Sequence, residues 1–191
     1  ARQIAEGNAA DLFLSANPDW VTYLDDKGLL APGSARTVAG NSLVVVVPAI
    51  SSLAPESVRE LEGGDYRRIA LADPSHVPAG MYAKAALEEE GVWAELEGRV
   101  VGAVDVRAAL ALVEGGAVSC GIVYRSDALP STRANIAFTV PAGEKKIEFV
   151  GAVTRHGAAA GEGGQAFLEF LSAPAAQAVF EKHGFQTGGA R

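Results

Sequence analysis

Ser42–Val47 reads SLVVVV, with four consecutive valines, and Pro48 ends the run. β-branched side chains at four successive positions suit a strand buried on both faces, as in a parallel sheet. Such a strand needs helices on both sides. The rest of the chain offers them. Short apolar runs at 10–15 (ADLFLS), 68–72 (RIALA), 100–103, 119–124 (SCGIVY), 136–140 and 146–153 (KIEFVGAV) read as strands. Between them lie helical segments: the end of one at 1–6, then one after Asn17-Pro18 closed by Gly28. A short acidic helix at 55–62, a helix at 78–90, one capped by Asp105 and stopped by Gly115-Gly116, and helices at 165–171 and 174–182 follow. Residues 157–164 read as a flexible loop. Strands alternating with helices predict an α/β fold with mainly parallel sheets.

The runs at 42–48 and 146–152 each stand between two groups of shorter elements. They predict two lobes, residues 48–146 and the flanking pieces 1–42 and 152–191, joined by two crossover strands. With 191 residues and 49% apolar composition, the chain can build that much core.

Several functions are excluded by composition. The longest apolar stretch, Leu43–Ile50, is far too short to span a bilayer. A net charge of −7 argues against a nucleic-acid partner. Cys120 is the only cysteine, so no internal disulfide forms; it reads as a small buried hydrophobe. His76, His156 and His183 are scattered and pair with no ligand set, so no metal site is expected. Glu88-Glu89-Glu90 reads as a solvated helix face, and Asp73, before Pro74, as a turn cap in preference to a general base. No nucleophile elbow, phosphate loop or dinucleotide fingerprint is present.

Two helix starts, at Pro78-Ala79 and Asp105-Val106, each follow an expected strand. In open α/β sheets such starts gather at the carboxyl edge and offer free amides to an anion. Taken alone they read as ordinary helix starts, with Asp105 as a cap. Ala79 is small in an alanine-rich chain, Val106 contributes only backbone, and Tyr124 also suits simple packing with its hydroxyl on water.

The surrounding turns carry more. The segments ARQIAEGNAADLFLSAN (1–17), GNSLVVVVP (40–48), ADPSHVPAGMYAKAALEEEGVW (72–93), VDVRAALALVEGGAVSCGIVYRSDA (104–128) and FLSAPAAQAVFEKHGF (170–185) resemble the periplasmic molybdate-binding proteins of ABC transporters, the ModA family. The resemblance implies a two-lobed type II periplasmic binding fold closing on a tetrahedral oxyanion, molybdate or tungstate. It implies backbone donors at Ala79 and Val106, a hydroxyl donor at Tyr124, no cofactor, no direct metal ligand and no catalysis. It also implies a monomer in the periplasm that delivers its anion to a membrane permease. The alternatives are a protein of the same fold for sulfate or an organic carboxylate, and a small α/β enzyme acting on an anionic substrate.

The family's two ligand serines, at turns flanking the first helix of the N-terminal lobe, have no counterpart. Both would lie upstream of Ala1, and Ser15 and Ser42 do not match them. Four donors to a charged partner, at about 1.5–3 kcal/mol each, amount to about 6 kcal/mol, or roughly four decades of affinity. The expectation is therefore a chain cut from a longer one, lacking a first strand–helix–strand unit.

Overall fold

The computed structural model describes residues 1–141, 143 and 146–187. In chain order the first elements are α1 (Arg2–Ala5), β1 (Leu12–Ser15), α2 (Pro18–Asp26), β2 (Arg36–Asn41), β3 (Leu43–Pro48) and β4 (Ile69–Ala72). There follow α3 (Pro78–Glu89), α4 (Trp93–Leu96), β5 (Val100–Ala103), α5 (Val106–Glu114), β6 (Cys120–Tyr124), α6 (Arg125–Ala128) and β7 (Ala134–Thr139). The last are β8 (Ile147–Val153), α7 (Arg155–Ala160), α8 (Gly163–Leu171) and α9 (Pro174–Lys182). The chain divides into two compact units, Ala1–Asn41 with Ile147–Arg191, and Ser42–Lys146.

The first unit is built on an antiparallel sheet in the order β1-β8-β2. Strand β8 is central, and Val21, Leu24, Leu30 and Ala152 pack on one another through α2. A second cluster joins Val38, Val153 and Leu168 through α8. Asn17 caps α2 by accepting the Asp19 N–H at 2.9 Å, and Pro18 occupies the first turn, where its missing N–H costs nothing.

The second unit holds a five-stranded sheet in the order β5-β4-β6-β3-β7. Strands β5, β4 and β6 are mutually parallel; β3 runs antiparallel to both β6 and β7. All six residues of β3 are buried. Val44 and Val46 pack with Ala109, Val113 and Val123 under α5, and Val45 alternates to the opposite face. Cys120 is fully buried at the start of β6, and burial pushes its thiol up to about 12.

The α/β class stands, with strand directions that are mixed. The parallel reading of 42–47 is corrected: a continuous apolar run records cover on both faces, and that is indifferent to the direction of the neighbours. Among the described residues parallel pairing is confined to β5-β4-β6. The loop expected at 157–164 is also corrected. Helix α7 runs through Ala160 and α8 begins at Gly163. Thr154 caps α7, its Oγ1 accepting the Gly157 N–H at 2.9 Å while donating to the Ala10 carbonyl. The helix expected at 55–62 is a 3₁₀ helix over Val58–Glu62. Among the described residues no helix is long and apolar enough to cross a membrane.

Gly157 lets α7 lie against the chain entering β1. A Cβ there would come within 2.1 Å of the Asp11 carbonyl oxygen. Gly157→Ala is therefore expected to destabilise the protein by about 1–3 kcal/mol, the usual range for overpacking, read as a lower urea midpoint with an unchanged slope.

Candidate anion-binding site

Because β5, β4 and β6 are parallel and adjacent, their carboxyl ends share one edge of the sheet. Ala72 of β4 pairs with Ala103 of β5, and Ala70 with Gly121 of β6. Tyr124 thus lies one residue beyond the level of Ala72. With strands spaced by about 4.8 Å, the two outer strands of this trio are about 10 Å apart. Helix α3 follows β4, α5 follows β5, and Tyr124 ends β6. Ala79, Val106 and Tyr124 are brought to the same edge.

The two helix starts leave their first amides free. In α3 the N-cap is Val77, which has no capping side chain, and Pro78 has no N–H to offer. The first bonded amide is that of Met81, which donates to the Val77 carbonyl at 2.9 Å. Among the described residues no acceptor meets the Ala79 or Gly80 amide. In α5 the Asp105 carboxylate accepts the Ala108 N–H at 2.7 Å, and the Asp105 carbonyl accepts that of Ala109 at 3.1 Å. The Val106 and Arg107 amides meet no acceptor among the described residues. Each start therefore offers two donors at the positive end of a helix dipole.

Gly80 fixes where the α3 start can sit. A Cβ on it would come within 2.0 Å of the Ala72 carbonyl oxygen, so the first turn rests directly on the end of β4. Sequence reasoning passed over this residue. Its signal was a glycine in a first turn, where alanine has the better helix propensity.

Tyr124 is 9% exposed, and its buried hydroxyl has no hydrogen-bond partner among the described residues. A buried phenol normally finds one, and leaving it unmet costs about 1–3 kcal/mol. Burial first, then the nearby Tyr82 and Asp127, push its pKa well above the ordinary 10. The group is a proton donor at any physiological pH.

Asp127 and Arg107 complete the edge, with Nε and Oδ1 3.6 Å apart. Burial raises the Asp127 carboxyl, and Arg107 opposes that rise. This pair also escaped sequence reasoning, since its partners stand twenty residues apart on different helices. Asp73 caps its own turn: Oδ1 accepts the Ser75 N–H at 2.8 Å and the Ser75 hydroxyl at 2.6 Å. Among the described residues no group of three or more His, Cys, Asp or Glu is placed to hold a metal ion.

Neutral donors converging at the carboxyl edge of a mixed α/β sheet are the equipment of a solute-binding protein. The model of the bacterial extracellular solute-binding protein family matches residues 1–186. The chain is 41% identical to the molybdate-binding protein ModA of Escherichia coli K12, over 97% of its own length and 73% of that protein's. It is 35% identical to the molybdate-binding protein ModA of Haemophilus influenzae, with coverage of 97% and 74%. It also resembles the solved periplasmic molybdate-binding protein of Azotobacter vinelandii, with a TM-score of 0.80, 25% identity and coverage of 98% and 82%. The chain belongs to the bacterial extracellular solute-binding proteins, and within them to the ModA family.

Two outcomes follow from the local geometry. Gly80→Ala is expected to destabilise the protein by about 1–3 kcal/mol as the α3 start is lifted from Ala72, measured by thermal unfolding. Tyr124 holds its proton more tightly folded than unfolded, so the stability tied to it is complete below pH 10 and declines as pH rises further. Wild type is therefore expected to lose stability against Tyr124→Phe between pH 10 and 11, in paired denaturant titrations.

Proposed function

We propose that the protein captures molybdate or tungstate on Ala79, Val106 and Tyr124 and delivers it to the membrane permease of an ABC transporter. The unmet Tyr124 hydroxyl, at the same sheet edge as four free amides, carries this reading, and the names of the ModA relatives agree with it.

The chemistry is one of donors alone. Molybdate at neutral pH is a dianion with no proton, so every contact it needs is an N–H or O–H pointing at it. Amides and a phenol supply these without the desolvation cost of burying a lysine or arginine. Monohydrogen phosphate carries a proton that would find no acceptor among such donors, and the resulting orphan disfavours it. Sulfate also lacks a proton and has to be rejected by its smaller size. Tungstate is nearly the size of molybdate and binds alike.

In this reading the two compact units are the two lobes, and the chain passes from one to the other just before β3 and just before β8, at Asn41–Ser42 and Lys146–Ile147, and not along the strands 42–48 and 146–152 themselves. The protein works outside the cytoplasm, in the periplasm, as a monomer. It takes no cofactor.

Sodium molybdate at about 100 times its Kd should stabilise the protein by about 2.7 kcal/mol, or about 5–10 °C in Tm for a chain of this size. Tungstate should do the same, and sulfate should fail to displace either. Tyr124→Phe should weaken molybdate binding by about ten- to a hundredfold, the loss of one hydrogen bond to a charged partner, while the protein stays folded. No thermal shift with either metalate, or unchanged affinity in Tyr124→Phe, would remove this reading or this residue from it.

A further inference from the structure

The edge that gathers neutral donors also gathers two carboxylates, Asp105 and Asp127. A dianion bound there is repelled by both unless each is answered. Asp105 is answered by its own helix, through the Ala108 N–H at 2.7 Å and the positive end of the α5 dipole. Asp127 accepts no backbone N–H among the described residues, and the single turn of α6 gives it little dipole. It lies in α6, three residues beyond Tyr124, with a side chain only 18% exposed. Its charge is felt at the Tyr124 hydroxyl, and that of Asp105 is felt at Asp127. The cation facing it is Arg107, the residue after Val106, with Nε 3.6 Å from Oδ1.

Resting on the oxyanion reading above, we propose that Arg107 is a positioning residue that masks the Asp127 carboxylate, so that a dianion can occupy the donors of α3, α5 and Tyr124. The placement supports this in two ways. The pair spans two of the three donor elements: Arg107 adjoins the Val106 amide, and Asp127 stands in the turn of helix that follows Tyr124. The Arg107 side chain is otherwise 87% exposed, so its charge acts from the solvent side and the donors that face the anion stay neutral. The groups facing Asp127 are Arg107 and Asp105 from α5 and Tyr124 from β6, with Tyr82 of α3 close to the same phenol. Of these only Arg107 is positive. Without it, an uncompensated carboxylate would stand three residues beyond the phenol that meets the anion, and the two like charges would repel, for an expected loss of about tenfold in affinity.

Calorimetric titration of the full chain with sodium molybdate, at pH 8 and pH 5.5, tests this with four variants: Arg107→Gln, Arg107→Lys, Asp127→Asn and the Arg107→Gln/Asp127→Asn pair. Arg107→Gln should bind about tenfold more weakly at pH 8, with a smaller deficit at pH 5.5, since burial raises the Asp127 carboxyl and lower pH relieves its charge. Arg107→Lys should stay near wild type. Asp127→Asn should bind at least as tightly as wild type at both pH values, and the double variant should match it. Thermal unfolding without ligand separates folding defects from binding defects. Arg107→Gln with wild-type affinity at pH 8 overturns the proposal. So does a double variant as weak as Arg107→Gln alone, which would make the pair a mechanical tie with no electrostatic role. Wild type that binds neither molybdate nor tungstate overturns the functional reading itself, a result distinct from both.

Discussion

Parallel pairing of β5, β4 and β6 is the constraint on which the site depends. A parallel ladder obliges each strand to be followed by a connection that returns to the far end of the sheet, and helices make those returns. The helix starts then fall together at one edge. Three adjacent strands, about 10 Å across, bring two such starts and one strand-end phenol to one edge of the sheet. Had β4 and β5 been joined by a hairpin, their turns would carry no helix dipole and no rank of unbonded amides. Polarity at this edge is thus a property of topology before it is a property of any side chain.

Side chains then decide what that edge accepts. Pro78 removes one amide and Asp105 occupies another, which leaves Ala79, Gly80, Val106 and Arg107 with donors to spare. The missing side chain of Gly80 lets the α3 start rest on Ala72. Tyr124 adds a hydroxyl that burial keeps protonated. The structure tolerates an unmet polar group here, a cost that natural interiors seldom accept without a functional return.

Much of this was legible from the residues. Pro78, Asp105, Gly115-Gly116 and Asn17-Pro18 mark helix ends by local chemistry that tertiary context does not overturn, and the elements begin and end there. The run at 42–47 announced burial but not direction, because apolarity on both faces is equally served by antiparallel neighbours. Strand β2 was invisible: RTVAGN lacks alternation, and its pairing with β8 is supplied by residues more than a hundred positions away. Helix α7 was hidden by its glycine and alanines, and only Thr154, read as an N-cap, would have exposed it. At the candidate site, the helix starts and the phenol were read from the residues, with the family resemblance deciding among alternatives that the residues left open. Gly80 and the Arg107–Asp127 pair were missed. The first acts through a missing atom, and the second joins positions that only folding brings together.

Cys120 has a consequence of its own. It opens β6, pairs in register with Ile69 and is shielded from solvent. It is the sole sulfhydryl of the chain, and an alkylating reagent meets it only when the middle of the parallel trio separates. The chain therefore carries a built-in chemical clock. The rate of thiol modification reports how often the platform beneath the donor edge comes apart, and a ligand seated on that edge would slow the clock by the factor with which it closes the sheet.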